Sequence, residues 1–277
     1  MQPKPPPTTT AAKTPPAKSF SVSSGKTSEF ERIGIYGPGG AGKTTLASML
    51  TLVKIKTLFI DLDNGSNNID LLGRINAGDK PGQISNWSDL IDCLRSDIIA
   101  DYDAIVIDSL TVAEEWAEEW TLANVPKIDK YGKESRCKNL KAYGWAEGDS
   151  HLFDTFLKFF QALERIDKHV ILICHCTDEK VPNPAGEDYL SYMPRLPKSK
   201  QGDIRSKFRD WVDHLLFLNL ERSVDENGKA DDAVARVIYP QLLPHAWAKS
   251  RTLRKTITFR EGIPDLWQQI FNTGDTK

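Results

Sequence analysis

The sequence predicts an α/β fold: a mostly parallel β-sheet with helices on both faces and an antiparallel extension at one edge. Three observations lead to this prediction. Short, nearly continuous apolar segments alternate with helical segments, as in a parallel sheet covered on both faces. A glycine-rich loop joins the first strand to the first helix. Two late β segments are joined through "DENGK" at 225–229, a good hairpin turn.

The first half of the chain alternates strands and helices. "RIGIYG" is a short apolar strand, and "TLFIDLD" and "YDAIVIDSL" are apolar strands that carry aspartates near their ends. The segments between them include stretches with the spacing of a helix that packs on a sheet. The predicted strands are 32–37, 57–63 and 102–110, and the predicted helices are 43–53, 87–98 (with its N-cap at Ser88 or Asn86) and 110–123.

The second half begins with a strongly apolar helix and a buried strand and then becomes a β region. Residues 124–150 are irregular and basic, and residues 177–207 are polar and proline-rich without a clear element. The predicted elements are the helix 151–166, the strand 169–175, the β segments 211–221 and 233–241, and the strand 255–261.

Composition and charge limit the class of protein. Forty percent of the 277 residues are hydrophobic and the net charge is −2, which is ordinary for a soluble globular protein. No apolar run is long enough to cross a bilayer, and the N-terminus lacks the apolar core of a signal peptide. The four cysteines show no C-x-x-C spacing, so we expect a reduced, cytoplasmic setting and no membrane partner.

Two regions are expected from the distribution of residue types. Residues 1–28 are rich in proline, threonine, serine and lysine and are expected to be a disordered tail, either a spacer or a weak electrostatic hook for nucleic acid. Residues 29–277 are expected to form one domain. Because the tail holds four lysines and no acid, the remainder carries a charge of −6, and a nucleic-acid partner would need local basic loops.

The loop "GPGGAGKTT" matches the phosphate-binding pattern G-x-x-x-x-G-K-[ST] and lies between a predicted strand and a predicted helix. Its glycines allow backbone N–H groups to wrap around phosphates at the helix N-terminus. Lys43 would reach the β- and γ-phosphates, and the Thr44 hydroxyl would bind Mg²⁺, so the predicted cofactors are ATP and Mg²⁺. The predicted nucleotide-binding residues are Gly37, Pro38, Gly39, Gly40, Ala41, Gly42, Lys43, Thr44 and Thr45.

Polar residues at the ends of three predicted strands are candidates for the chemistry. Asp108 ends a strand at the carboxyl edge of the sheet and could hold Mg²⁺ with Thr44, or cap the following helix. Asp61 and Asp63 end a strand expected beside the P-loop strand, and one of them is the candidate general base, although "DLDNGSNN" could also be a turn of capping residues. His175 could contact the γ-phosphate or be a core histidine.

These segments, in this order, resemble a RecA-type ATPase core from about residue 32 to 260. The resemblance maps the catalytic glutamate of that family onto Asp63 in "FIDLD", one methylene shorter, and the Mg²⁺-site aspartate onto Asp108 in "IVIDSL". It maps the glutamine that senses the γ-phosphate onto His175 in "LICHCTD". It also implies the fold, a RecA-like P-loop NTPase with ATPase activity.

The same resemblance implies an assembly. "WAKSRTL" is similar to the K-x-K stretch that RecA inserts into a neighbouring subunit's ATP site, so Lys249 and Arg251 would act in trans in a homo-oligomer. The chain resembles short phage-encoded RecA-like ATPases of single-strand annealing and recombination. That resemblance implies a bacterial host cytoplasm and a single-strand-binding protein as a candidate partner.

Under this interpretation two stretches, near 124–150 and 177–209, are loops that face single-stranded DNA. Both combine basic side chains, which track phosphates, with aromatic side chains, which stack on bases; "GDSHLFDTFLKFFQAL" resembles the helix after the first such loop. The alternative is that both are solvated surface loops. The residues concerned are Lys127, Lys130, Tyr131, Lys133, Arg136, Lys138, Lys141, Tyr143 and Trp145, and Tyr189, Tyr192, Arg195, Lys198, Lys200, Arg205, Lys207 and Arg209.

Two other function classes remain open from the residues alone. One is a small-molecule or nucleotide kinase, with an arginine-rich lid built from 195–209. The other is a nucleotide-regulated loader or switch that hydrolyses ATP slowly, for which aspartate in place of glutamate at position 63 would matter. The sequence does not separate a ring from a filament, or annealing from strand exchange.

Overall fold

The computed structural model describes residues 21–22, 24, 29–183, 186–224 and 230–271. Most of the predicted tail at 1–28 and the predicted turn at 225–229 therefore lie outside the described residues. Twelve strands are described: β1 (Arg32–Gly37), β2 (Thr57–Asp61), β3 (Gly73–Asn76), β4 (Ala104–Asp108), β5 (Lys127–Ile128), β6 (Glu134–Ser135), β7 (His169–Val181), β8 (Tyr189–Pro194), β9 (His214–Val224), β10 (Ala230–Tyr239), β11 (Lys249–Ser250) and β12 (Ile257–Phe259).

Six α-helices and three short 3-10 helices accompany these strands. The α-helices are α1 (Lys43–Ser48), α2 (Trp87–Arg95), α3 (Leu110–Asn124), α4 (Glu147–Glu164), α5 (Ile204–Trp211) and α6 (Asp265–Phe271). The 3-10 helices are Met49–Val53, Asp97–Asp101 and Leu140–Tyr143. None of the helices among the described residues is long and apolar enough to span a membrane.

Ten of the strands form one sheet in the order β12-β10-β9-β1-β7-β4-β2-β3, with β11 beside β9 and β8 beside β7. The strands from β9 to β3 run parallel, and β10 and β12 continue the sheet antiparallel. The predicted fold class, including the antiparallel edge, is confirmed. Because β1, β7, β4 and β2 are parallel, their carboxyl ends meet at one edge, which is where the site lies.

Two hydrophobic clusters hold the helices to the two faces of the sheet. On one face, α2, α4 and α5 contribute buried aromatic side chains, including Trp87, Phe156 and Phe208. On the other face, α1 and α6 pack together, and the indole N–H of Trp267 donates to the carbonyl of Leu46 at 2.8 Å. Burial of each such side chain stabilises the fold by about 1.5–3 kcal/mol.

Side-chain N-caps fix the residues at which two of the helices begin. Asn86, one of the two predicted caps, accepts a hydrogen bond from the backbone N–H of Asp89 at the start of α2. At the start of α3, the Ser109 hydroxyl accepts from the N–H of Val112. These side chains satisfy N–H groups that have no partner inside the helix.

Several boundaries and one neighbour relation differ from the sequence prediction. β2 ends at Asp61, so Asp63 lies in the turn that follows, and β2 is not beside β1 because β7 and β4 lie between them. α4 begins at Glu147 rather than at 151. β3 and α6 were not predicted, because β3 is short and only half-buried and α6 is a short helix.

The prediction of no clear element at 177–207 is wrong. β7 continues to Val181 and pairs antiparallel with β8, and α5 follows with Asp203 as its N-cap. The polar composition hides α5, which buries only one side, with Ile204, Phe208 and Trp211 in the core. The predicted β segment at 211–221 therefore begins three residues later, at His214.

Candidate nucleotide-binding and catalytic site

Three of the four glycines of the motif, Gly37, Gly40 and Gly42, are required by the backbone around them. Gly40 and Gly42 have φ of 75° and 97°, a region that favours glycine. A β-carbon on Gly37 would overlap the carbonyl oxygen of Leu218 in the neighbouring strand β9. The loop therefore turns tightly between β1 and α1, as the sequence motif predicts.

Lys43 lies within this loop. Its side-chain nitrogen donates to the carbonyls of Gly37 and Pro38, at 3.0 and 2.9 Å, and the residue is only 8% exposed. Burial lowers the pKa of the Lys43 ammonium group, and the negative charge of Asp108 opposes that shift. A cation held at the mouth of a glycine-rich loop is suited to phosphate oxygens.

Thr44 and Asp108 form the second part of the site. The Thr44 hydroxyl donates to a carboxylate oxygen of Asp108 at 2.5 Å, and Asp108 is 3% exposed. Burial raises the pKa of Asp108 to about 7, and the Thr44 hydrogen bond acts in the opposite direction. Because Ser109 caps α3, Asp108 is left free for a ligand role. A hydroxyl and a carboxylate are oxygen ligands of the kind Mg²⁺ takes together with substrate phosphates, so these two residues fit the ion.

Asp63 and His175 face each other at the same edge. His175 Nε2 lies 3.6 Å from a carboxylate oxygen of Asp63. The neighbouring His175 ring, helped by the N–H of Gly65, holds the pKa of Asp63 below its ordinary value against the effect of burial. His175 pairs in register with Gly37, the first residue of the loop. The pair is thus an ionised carboxylate and an imidazole beside the phosphate loop.

Asp61 has a different environment from Asp63. It is fully buried and accepts hydrogen bonds from the N–H of Gly65 and from the N–H and hydroxyl of Ser66. These bonds close the turn after β2 and leave Asp61 with a structural role. Of the two candidate bases, Asp63 is therefore the one that the fold presents at the site.

Lys249 and Arg251 do not lie at this site in their own subunit. Lys249 is the first residue of β11 and Arg251 follows this strand, which pairs with the first residues of β9, towards the amino end of the parallel strands. Lys249 donates to the carbonyl of Asp210 at 3.2 Å, and Arg251 pairs with Asp213 at 3.1 Å. Asp213 also binds Arg32, the first residue of β1, so the P-loop lies about 17 Å further along the strand.

Arg236 lies against the P-loop and was missed by the sequence analysis. A β-carbon built on Gly42 would lie 2.9 Å from Cε1 of Phe259 and 3.3 Å from a terminal nitrogen of Arg236. Arg236 pairs with Glu261 at 2.5 Å. The only signal in the sequence is a charged residue inside the apolar strand "AVARVIY".

The two predicted DNA-facing loops differ in how many of their aromatic and basic side chains are exposed. In the first, Trp145 is fully exposed and Tyr131 is 82% exposed, with the Lys130 ammonium 4.9 Å from the Tyr131 ring. Trp145 and the residue after it have φ of 46° and 59°. Tyr143 is buried instead, and its hydroxyl donates to the carbonyl of Val125, so it is not available for stacking.

The second loop is more structured than the sequence predicts. Arg205 is buried and binds Glu179 at 2.6 Å as well as the carbonyl of Leu196, so it is neither a free DNA contact nor part of an open lid. Arg209 lies over the ring of Trp247 at 4.7 Å. Of the other basic residues of this loop, Arg195 pairs with Glu115 at 2.6 Å, Lys207 is partly buried, and Lys198 and Lys200 are exposed.

Comparison with known proteins gives one family and several distant structures. A protein-family model described as AAA domain matches residues 29–252. No curated protein matches the chain. A KaiC-like protein from the hyperthermophilic archaeon Pyrococcus horikoshii is 12% identical, with 84% of this chain and 86% of that chain covered and a TM-score of 0.46. A prototypical ATPase of the type III secretion system of pathogenic bacteria is 15% identical, with 68% of this chain and 52% of that chain covered and a TM-score of 0.37.

Proposed function

The chain belongs to this AAA domain family, and we propose that it is a Mg²⁺-dependent ATPase that couples hydrolysis to binding of single-stranded DNA as a homo-oligomer. The family supports the P-loop ATPase core and ATP hydrolysis as its activity. The role in recombination or annealing and the phage-type relationship belong to the proposal. The observation that carries the proposed ATPase activity is the grouping of five side chains at one edge of the sheet: Lys43, Thr44, Asp108, Asp63 and His175.

Each member of this group has a defined part in hydrolysis. Lys43 binds the β- and γ-phosphates, and Thr44 and Asp108 hold Mg²⁺, which neutralises phosphate charge when bound. Asp63 orients the attacking water and accepts its proton, as a carboxylate within reach of the reacting group can. The nearby imidazole of His175 lowers the pKa of Asp63, which favours the ionised form that a general base needs.

His175 links the phosphate site to the second loop. Its carbonyl accepts from the backbone N–H of Arg195 at 2.8 Å, and the Arg195 side chain pairs with Glu115 of α3 at 2.6 Å. The His175 N–H also donates to the hydroxyl of Thr111 in the first turn of α3. A movement of His175 on loss of the γ-phosphate would therefore reach both the β7–β8 hairpin and α3.

Single-stranded DNA is proposed as the partner because of the exposed surface between α3 and α4. Trp145 and Tyr131 present aromatic rings to solvent, the Lys130 ammonium lies 4.9 Å from the Tyr131 ring, and the segment 127–141 carries further lysines. Aromatic stacking on unpaired bases contributes about 1–3 kcal/mol per base, and basic side chains bind the phosphates. This surface suits a flexible strand whose bases are unpaired.

An intersubunit role for Arg251 is supported by its location. Its side chain is 68% exposed and lies at the opposite end of β1 from its own P-loop, so it could contact ATP only on a neighbouring subunit. To do so it would exchange Asp213 for the neighbour's phosphates. Lys249 would have to leave the carbonyl of Asp210 in the same way.

Binding of a fluorescently labelled deoxythymidine oligonucleotide tests the DNA part of the proposal. The anisotropy should show tighter binding with a non-hydrolysable ATP analogue than with ADP, and the affinity should fall steeply with salt. Trp145→Ala should weaken binding, whereas Leu52→Ala, which removes an exposed apolar side chain elsewhere, should not. Weak binding that responds neither to salt nor to nucleotide would contradict a DNA-coupled function.

A further inference from the structure

A second charged group contacts the P-loop from the side away from Asp108. In the sheet, β10 lies two strands from β1 on one side, and β4 lies two strands away on the other. Arg236 is on β10 and pairs in register with Phe259 of β12. On the other side, Asp108 is the last residue of β4, Asp63 follows β2, and His175 lies within β7.

The Arg236 side chain is held by two neighbours. Its guanidinium carbon lies 5.6 Å from the centre of the Phe259 ring, and a terminal nitrogen lies 2.5 Å from a carboxylate oxygen of Glu261. Both partners come from the segment at the end of β12. Glu261 is 62% exposed, so its pairing with Arg236 is open to competition by other anions.

The contact with the loop is direct. The space beside Gly42 is filled by Phe259 and Arg236, so closely that a β-carbon there would contact both. Gly42 is the residue before Lys43, and the backbone at this point surrounds bound phosphates in a P-loop. Arg236 thus lies beside the loop in which the proposed function places the nucleotide.

We propose that Arg236 is a nucleotide-positioning residue that acts in cis, and that Glu261 is its partner when no nucleotide is bound. A guanidinium forms planar, paired hydrogen bonds with phosphate oxygens, and a nucleoside di- or triphosphate carries more negative charge than one exposed carboxylate. Nucleotide binding would then transfer Arg236 from Glu261 to the phosphates. The proposal rests on the proposed nucleotide site, but not on DNA binding.

This exchange predicts opposite effects for the two partners. Arg236→Ala should weaken the binding of both ATP and ADP about tenfold, as expected for loss of a hydrogen-bonded charge. Glu261→Gln removes the competitor and should tighten ATP binding about threefold. Arg236→Lys should recover only part of the affinity, because an ammonium cannot bind phosphate oxygens in pairs. If the pair were only a structural clamp, both Arg236→Ala and Glu261→Gln would weaken binding.

Isothermal titration calorimetry of ATP and ADP, without DNA, measures these effects. Arg260→Ala is the matched control, because the neighbouring Arg260 pairs with Asp265 at 3.1 Å and should leave nucleotide affinity unchanged. Thermal melting of each variant checks that the fold is intact. The proposal is overturned if Arg236→Ala binds ATP as the wild type does, or if Glu261→Gln weakens binding.

The wild type and Lys43→Ala separate this proposal from the wider one. Suppose that the wild type binds ATP, that Lys43→Ala abolishes this binding and that Arg236→Ala leaves it unchanged. In that case only the proposed role of Arg236 is wrong. If the wild type binds no ATP, the nucleotide site fails and the role of Arg236 fails with it.

Discussion

Replacing Asp108 with asparagine should stabilise the protein without ligand while removing its activity. Burial raises the pKa of Asp108 from 3.8 to about 7, so the folded protein binds this proton more tightly than the unfolded chain does. The stability that this group contributes therefore falls as the pH rises from about 4 to about 7. At about 1.4 kcal/mol for each pKa unit, the penalty is roughly 4 kcal/mol above pH 7 and less than half of that at pH 5.

Asparagine keeps the oxygen that accepts from Thr44 but removes the charge. Urea denaturation with EDTA should thus show Asp108→Asn more stable than the wild type by about 4 kcal/mol at pH 8 and by less than half of that at pH 5. The variant should also lose Mg²⁺-dependent ATP hydrolysis. Asp101→Asn, which removes an exposed carboxyl group, should change stability by less than about 0.5 kcal/mol at both pH values. A difference that is the same at both pH values, or a less stable Asp108→Asn at pH 8, would refute the reasoning.

Three further predictions follow from the site and the surfaces. Asp63→Asn should bind ATP within about threefold of the wild type but release no phosphate, because it removes only the base. Asp61→Ala should instead lower the melting temperature, since it removes a buried carboxylate that accepts three hydrogen bonds, each worth about 1 kcal/mol. Trp145→Ala should raise the Kd for single-stranded DNA about tenfold in anisotropy titrations, with an unchanged melting curve. Arg251→Ala should cost less than about 1 kcal/mol of stability in urea, and mixing it with Lys43→Ala subunits should restore some ATPase activity; mixtures without any activity would argue against a shared site.

Much of the fold could be predicted because its signals are local. The strands β1, β2, β4 and β7 are apolar runs and the helices α2 to α4 show helical spacing, and their alternation implies a parallel sheet. β3 is half-buried and α5 is mostly polar, so neither has a clear pattern. Sheet order is not local either, which is why β2 was wrongly expected beside β1.

The residues of the candidate site likewise fall into those that a local motif predicts and those that depend on the folded structure. Lys43 and Thr44 are specified by a contiguous motif, so the sequence suffices to predict where they lie. The choice between Asp61 and Asp63 depends on hydrogen bonds within a turn, which the sequence does not display. Arg236 reaches the loop only because β10 folds back beside β9, a contact between distant parts of the chain.

The steady-state rate of ATP hydrolysis, measured with and without single-stranded DNA in a salt series, tests the central claim most directly. Wild-type protein should release phosphate from ATP in the presence of Mg²⁺ without any added acceptor, which a kinase would require. Single-stranded DNA should stimulate the rate, and rising salt should abolish that stimulation because phosphate contacts are lost. A rate that DNA leaves unchanged at every salt concentration would contradict the coupling, and no phosphate release under any condition would contradict the ATPase itself.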